Sequence, residues 1–308
     1  MNLSEFHSCA ICPRECRIDR TRAKGYCQAG TELCINLAQL HFGEEPPISG
    51  TRGSGTIFFS HCNLRCVFCQ NYKISLQGQG RSISTNELLS LFYTLQQQGA
   101  HNINLVTPTH YSMILREIIA QAKADRLTIP VLWNSSGYEK VSSLQQMKGL
   151  IDIYLPDFKY YHPVYAKKYS GAGDYPVVAL NALREMVSQC GFLQLDAEGI
   201  AQKGVLVRLL VLPHALAGTQ NSLRLLADEF GPDLPLSLMA QYYPAGRAKE
   251  YPELNRGITT AEYQAVLDVA QALGFTHIYT QELSSDDSWT PDFVTYESQS
   301  IAQTGEFK

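Results

Sequence analysis

Short runs of apolar and β-branched residues alternate along the chain with longer segments in which apolar residues recur every three or four positions. The first pattern marks strands buried on both faces, the second amphipathic helices. Strands are expected at residues 55–60, 102–107, 130–134, 151–156, 205–212 and 236–241, with a seventh at 276–281. Helices fit residues 85–98, 112–124, 141–148, 176–190, 220–230 and 260–273. Ser84 or Thr85 can cap the first of these helices, and Thr259 or Thr260 with Glu262 opens the last. Strand and helix in alternation predict an α/β fold built from βα units around a parallel sheet. In such folds chemistry collects at the C-terminal ends of the strands, so the residues that follow each apolar run are candidates for function.

Composition narrows the class. The 308 residues carry 25 basic and 29 acidic side chains, a formal net charge of −4, and 45% are hydrophobic, which excludes a disordered or collagen-like chain. This length suits two domains, or one α/β barrel of about 200 to 250 residues with an attachment. The acidic balance offers no broad attraction for a phosphate backbone or an anionic membrane, so neither nucleic acid nor membrane is an expected partner. The opening MNLSEFHSCAICPREC has neither the basic start nor the apolar stretch of an export signal. The most apolar stretch, 204–213, is broken by Arg208 and is far shorter than the roughly 20 residues that span a bilayer. A soluble, cytoplasmic protein is expected.

Cysteine placement carries more information. Eight of the nine cysteines lie within the first 69 residues, and only Cys190 is distant. A disulfide framework belongs to small secreted domains, so metal or iron-sulfur ligation is the better reading for a large chain without an export signal. Cys62-Asn-Leu-Arg-Cys66-Val-Phe-Cys69 follows an expected strand. Three thiolates on one tight loop can hold three irons of a [4Fe-4S] cube and leave the fourth iron open to an exchangeable ligand. A zinc knuckle completed by His61 or a distant cysteine is the alternative. The earlier group, Cys9, Cys12, Cys16 and Cys27, admits a closed tetrahedral zinc site, an auxiliary iron-sulfur cluster or free thiols. Cys34 and Cys190 read as buried thiols.

Charged residues beside apolar strands need partners. Asp157 and Lys159 are two apart, so they share a face of an extended chain and can pair or reach a common ligand. Arg208, inside VRLLVLPH, suits a two-pronged grip on a carboxylate. His41 with Glu44 and Glu45 offers a proton-handling group at the barrel mouth, or else a solvated loop. Gln70 and Asn71 are placed to hydrogen-bond cluster sulfurs or the SAM end, and Tyr242, Tyr243 and His214 to line the substrate side.

The C-x3-C-x2-C loop, the strand before it and Phe68 directly before the last cysteine resemble the radical S-adenosylmethionine (radical SAM) superfamily. That resemblance implies an open, partial (β/α)6 barrel, which six or seven βα units match. It also implies a [4Fe-4S] cluster on Cys62, Cys66 and Cys69, SAM chelated to the open iron, Phe68 near the adenine, and an electron donor such as flavodoxin or ferredoxin. Where the superfamily has a glycine-rich segment for the SAM amino group, this chain has Thr107-Pro108-Thr109-His110-Tyr111, so Thr107 and Thr109 are the candidate contacts. Asp157, Lys159 and Arg208 resemble the DxK segment and the strand arginine of glycyl-radical-enzyme activases, where their counterparts contact SAM.

Over residues 9–282 the chain resembles the PflX-type group of pyruvate formate-lyase activating enzyme-like proteins, through CAICPREC, HFGEEPPISGTRGSGTIFFSHCNLRCVFCQN, NINLVTPTHYS, WNSSGYE, IDIYLPDFKY, VLVRLLVLP and SLMAQYYP. The expected organisation is a Cys-rich N-terminal metal-binding module (1–52), a radical SAM partial barrel (53–283) and a polar C-terminal tail (284–308). The expected activity is reductive cleavage of SAM to a 5'-deoxyadenosyl radical that abstracts hydrogen, with a glycyl radical enzyme as partner. Modification of another protein, peptide or small molecule, and a non-catalytic iron-sulfur or zinc scaffold, are the rival expectations.

Overall fold

All seven runs expected as strands form strands, with ends shifted by at most two residues. The structure is a computed structural model and describes residues 3–283 and 290–295. In chain order the elements are β1 (Leu33–His41), α1 (Pro46–Ser49), β2 (Ser54–Phe59), α2 (Tyr72–Ser75), β3 (Arg81–Ile83), α3 (Thr85–Gln97), β4 (Ile103–Val106), α4 (Ser112–Asp125) and β5 (Val131–Ser135). They continue with α5 (Val141–Gln145), β6 (Ile153–Pro156), α6 (Pro163–Ser170), α7 (Tyr175–Cys190), β7 (Gln194–Leu195), β8 (Ala201–Val205), β9 (Val207–Leu210), α8 (Thr219–Phe230), β10 (Leu236–Met239), α9 (Thr260–Ala272) and β11 (Ile278–Thr280). Helices α3 and α9 begin with capping boxes, Ser84 with Glu87 and Thr259 with Glu262, which satisfy the first free amides in both directions.

The strands form one eight-stranded sheet, β3-β1-β2-β4-β5-β6-β8-β7, and one of three, β11-β10-β9. Strand β8 leads through Leu206 straight into β9, so a single extended segment pairs first with β6 and then with β10. An isolated parallel bridge between Asp157 and Arg208 continues the β6 edge across this junction. The result is a curled, mostly parallel α/β layer with helices outside. Beyond the expected strands, β1 and β3 add an antiparallel pair ahead of β2, so residues 33–41 belong to the main sheet.

Period-two alternation sorts the strand residues. Outward positions such as Leu105, Trp133, Tyr154 and Leu209 join the large core beneath the helices. Inward positions form layers. The lowest is apolar, with Leu132, Ile153, Leu155, Ala201 and Leu206 around Ile48 of α1, which plugs the N-terminal end of the barrel. The same alternation turns Asn104, Asn134, Arg208 and Ser237 inward, with Asn104 in register with Leu132 and Ser237 in register with Arg208.

Of the polar tail expected at 284–308, residues 284–289 and 296–308 lie outside the described residues. Residues 290–295 pack against the sheet. The Val294 amide donates to Asn36 Oδ1 at 3.0 Å, and its carbonyl accepts from Asn36 Nδ2 at 2.8 Å. Phe293 meets Phe58 edge to face, with ring centroids 5.4 Å apart. Among the described residues no helix is long and apolar enough to cross a membrane.

Candidate active site

The loop after β2 brings Cys62, Cys66, Phe68 and Cys69 to the C-terminal end of the barrel, where they line a cavity of about 180 Å3 together with Thr107, Asp157, Lys159 and Arg208. Each sulfur has a donor from its own surroundings. The Leu64 amide points at Cys62 Sγ (3.3 Å), the Ser170 hydroxyl at Cys66 Sγ (3.0 Å) and the Ser75 hydroxyl at Cys69 Sγ (3.1 Å). Burial raises the Cys66 thiol although Lys159 and Ser170 oppose it, and burial together with Cys66 pushes the Cys69 thiol up to about 12. A metal removes such protons by binding the thiolates, and donors aimed at the sulfurs then stabilise the added negative charge. The donor set, three soft sulfurs with hydrogen bonds in place, fits an iron-sulfur cluster. Among the described residues no three Cys, His, Asp or Glu side chains converge on a single-ion site; a cube asks for something different, since each thiolate binds its own iron.

The charged side chains form one network. Arg208 Nε donates to Asp157 Oδ1 at 2.9 Å, Nη1 to Glu44 Oε2 at 3.2 Å and Nη2 to Asn134 Oδ1 at 2.6 Å. Lys159 Nζ lies 2.7 Å from Asp157 Oδ2. Burial alone would raise the Asp157 carboxyl, yet Arg208 and Lys159 outweigh it and hold Asp157 below its usual value. Lys159 is the mirror case, raised by Asp157 and Cys66 against its burial. Because 157 and 159 share a face, the β6 extension sets one charge toward Arg208 and the other toward the cysteine loop.

This strand end is held firmly. The Lys159 amide donates to Tyr175 Oη at 2.9 Å, and that hydroxyl lies 2.7 Å from the Ser136 carbonyl and 2.8 Å from the Asp157 carbonyl. Gly137, at φ +72°, is required here, because a Cβ would fall on the Asp157 carbonyl oxygen. Thr107 takes a left-handed φ of +60° at the end of β4, a strained choice for a β-branched residue, and its amide donates to the Asn134 carbonyl at 2.9 Å.

Other candidates are placed differently from expectation. Thr109 is buried outside the cavity lining and donates to Glu139 Oε1 at 2.7 Å, where Trp133 Nε1 also donates at 3.0 Å. It fixes the loop after β4. Phe68 lines the cavity and packs edge to face on Tyr160 and Tyr242. Gln70 donates to the Gln241 carbonyl at 2.8 Å and joins a Gln70–Gln241–Gln281 chain across the mouth, so its amide does not serve the sulfurs. Tyr242, Tyr243 and His214 are absent from the lining; Tyr242 is buried with its hydroxyl on the Leu254 carbonyl. His41 and Asn71 do line the cavity. Glu44 and Glu45 also line it, but from the closed lower end and not the mouth, because β1 runs antiparallel to β2 and delivers them beneath the barrel. Ser75 and Ser170 were not singled out from the sequence. Ser170 is 104 positions from Cys66, and no local signal could have joined them.

The N-terminal cysteines gather on two turns. Cys9 and residues 17–18 exchange backbone hydrogen bonds, Glu15 N–H donates to Cys12 O, and Gln28 N–H to Gly25 O. Burial pushes the Cys12 thiol up to about 12, and neighbouring Cys27 and Cys9 add to the shift. Cys27 feels Cys9 and Cys16 in turn. A side chain at Gly25 would lie 3.4 Å from the Cys16 sulfur and 3.5 Å from the Cys27 sulfur. Arg14 ties this module to the cluster loop. It donates from Nε to Asn63 O (2.9 Å) and from Nη2 to Leu64 O (3.2 Å) and Ser170 O (2.8 Å), while Nη1 reaches Gly171 O. Its guanidinium also lies 4.1 Å from the Tyr26 ring centroid and 5.0 Å from that of Tyr138.

Comparison with known proteins bears on this geometry. A protein of Methanocaldococcus jannaschii, "Uncharacterized protein MJ0674", is 29% identical over 283 residues, 89% of this chain and 77% of that protein. Among solved structures, a HydG maturase of the [FeFe]-hydrogenase matches with TM-score 0.49 at 16% identity, over 70% of this chain and 48% of that one. The chain thus spans about half the length of that maturase. Methylornithine synthase (PylB) matches with TM-score 0.49 at 15% identity, over 79% of this chain and 74% of that one. The model of the Radical SAM superfamily matches residues 56–191, which include the cysteine loop, Thr107, Asp157 and Lys159. The similarity to that superfamily covers 136 of the 308 residues, and the superfamily's chemistry calls for a [4Fe-4S] cluster, SAM and a source of electrons.

Proposed function

We propose that the chain is a radical SAM enzyme in which Cys62, Cys66 and Cys69 hold the [4Fe-4S] cluster and a substrate seated in the cavity loses a hydrogen atom. The cluster and SAM, when bound, supply a 5'-deoxyadenosyl radical and methionine once an electron arrives. The observation that carries this reading is the convergence of three thiols, each with its own hydrogen-bond donor, on the cavity that also holds the Asp157–Lys159–Arg208 network. Asp157, Lys159 and Arg208 present fixed charges to the polar end of SAM. Phe68 offers an apolar edge beside the adenine, and Thr107 a hydroxyl where the superfamily binds the amino group. Phe58, Val106, Leu210 and Met239 form apolar walls that exclude water and competing hydrogen donors.

The finer proposal is that the abstracted hydrogen comes from a glycine Cα of a partner enzyme, as in the PflX-type group of pyruvate formate-lyase activating enzyme-like proteins. Its support is the resemblance of Asp157-Phe158-Lys159 and Arg208 to the activase segments, and the ion-pair network these residues form. Flavodoxin or ferredoxin is the proposed electron donor, in a reducing cytoplasm that suits nine unpaired cysteines. For Cys9, Cys12, Cys16 and Cys27 we favour a structural zinc site over an auxiliary cluster, because they share one small module whose thiols are near enough to influence one another, and none lines the cavity.

The test is anaerobic reconstitution with iron, sulfide and zinc analysis, followed by a dithionite-driven assay for 5'-deoxyadenosine. Wild type should form it and Cys66→Ala should not; a product unaffected by the substitution would sink the assignment. A SAM-dependent glycyl signal in electron paramagnetic resonance on a co-purified partner tests the finer proposal.

A further inference from the structure

The closed end of the cavity holds one more carboxyl than its cations match. Arg208 and Lys159 face three acids, Asp157, Glu44 and Glu45. Asp157 is paired with both cations. Glu44 accepts from Arg208 through Oε2, and through Oε1 from Asn104 Nδ2 at 2.9 Å and Asn134 Nδ2 at 3.2 Å. The three donor nitrogens of Arg208 are all engaged, on Asp157, Glu44 and Asn134. Glu45 differs from these acids. It is 8% exposed, it lines the cavity, and its Oε2 is buried with no hydrogen-bond partner. Its surroundings offer the Ser237 hydroxyl and the Arg208 and Glu44 charges.

A buried carboxyl in this position has two ways to lower its energy: it keeps its proton, or it takes a cation that donates hydrogen bonds. Burial does raise Glu45, Glu44 adds to the effect, and the opposing pull of Arg208 does not cancel them. A neutral donor would satisfy Oε2 but leave the third negative charge to be carried or protonated. A cationic N–H group does both tasks at once. An anionic group would meet three carboxyls.

We propose that Glu45 is the substrate-recognition group at the closed end of the cavity, and that it takes an ammonium or guanidinium group of the molecule from which hydrogen is abstracted. The proposal rests on the radical SAM reading for what happens next, but the binding it describes is measurable without that chemistry. When the cation enters, it pairs with the Glu45 carboxylate, any proton the raised carboxyl still holds passes to solvent, and no covalent bond changes.

The test is isothermal titration of the cluster-loaded protein with n-propylammonium, n-propanol and propionate in two buffers of different ionisation enthalpy. A charge-assisted hydrogen bond exceeds a neutral one enough that propylammonium should bind about tenfold more tightly than propanol or better, with propionate weaker than either. Any proton displaced from Glu45 by propylammonium is read as a buffer-dependent heat. Glu45→Gln, which keeps the side-chain shape, should weaken propylammonium about tenfold and abolish any such release. Should that variant not fold, the wild-type series across the three probes and two buffers still decides. Absent amine binding, equal binding of amine and alcohol, or amine binding unchanged in Glu45→Gln would each overturn the proposal. Tighter binding of N-acetyl-Gly-Lys-Gly-amide than of propylammonium would support it with a chain-borne cation, and the reverse order would support it with a free amine. Failure of the radical reading would appear separately, as no 5'-deoxyadenosine from a wild type that still binds the amine.

Discussion

In the loop after β2 the sulfurs of Cys62, Cys66 and Cys69 accept hydrogen bonds from Leu64, Ser170 and Ser75 and look into the cavity. In the N-terminal segment the thiols of Cys12 and Cys27 are raised chiefly by burial, with smaller effects from neighbouring cysteines, Arg20 Nη1 lies 3.9 Å from the Cys9 sulfur, and none of Cys9, Cys12, Cys16 and Cys27 enters the lining. Both groups are cysteine-rich and largely buried. What separates them is where the polar donors and the open space lie: the first group is presented to a ligand, the second is enclosed by its own turns. Spacing makes both candidate metal-binding segments, and the difference in their surroundings is what the proposal of different work rests on.

The largest expected effect comes from removing one ligand in each group. Cys66→Ala should lose the loop cluster and all SAM cleavage, while Cys12→Ala should lose module metal and lower the melting temperature yet keep the SAM-responsive signal of the reduced loop cluster. If both variants lost that signal alike, the two groups would form one functional unit and the comparison would fail. Next in size is Asp157→Asn, which leaves the buried Arg208 and Lys159 without their shared carboxylate. A broken buried ion pair costs about 3–5 kcal/mol, read by denaturant unfolding, and SAM affinity should fall with it. Because the folded Asp157 carboxyl is held below its usual value, its contribution is present above the ordinary aspartate range and is lost as pH falls through the lowered value. The variant should accordingly flatten the acid limb of the stability profile.

Arg14→Ala tests the link between the two groups. It removes hydrogen bonds to four backbone carbonyls and two ring contacts, a loss of about 3 kcal/mol, and should lower melting temperature and SAM cleavage together. Retained cleavage at full rate would show that the module does not position the loop. Smallest is Ser170→Ala. Losing one hydrogen bond of about 1 kcal/mol to Cys66 should move the cluster's reduction potential more negative, by at most roughly 40 mV, in a redox titration, with iron content unchanged.

How legible all this was depends on range. The parallel strands read cleanly because burial on both faces leaves runs such as 205–212 apolar almost throughout. Strand β1 did not, since LCINLAQLH lacks strict alternation and its pairing with β2 shifts register between Ile35 and Leu37. Helix α6, PVYAKKYS, is short and mixed in character, so its pattern carried no clear period. In the site, the cysteine loop, Asp157, Lys159 and Arg208 were visible as unusual residues in apolar surroundings. The serine donors were not, because each is an ordinary residue until the fold carries it to a sulfur. Thr109 misled for the opposite reason: it is adjacent in sequence to a strand end, but the buried Glu139 carboxylate draws its hydroxyl away. Glu44 and Glu45 read as mouth or solvent residues because the antiparallel course of β1, which sends them below, was itself hidden.

The plug formed by α1 has a kinetic consequence. With Ile48 fully buried among Leu132, Ile153, Leu155, Ala201 and Leu206, the barrel is stoppered below, and we expect traffic to pass by the cysteine loop. Anything that travels to Glu45 must precede SAM, and it must depart after SAM's fragments have cleared the way. Initial-rate patterns should thus be those of compulsory order, with SAM second, and excess SAM should act as a competitive dead-end inhibitor toward the deeper reactant.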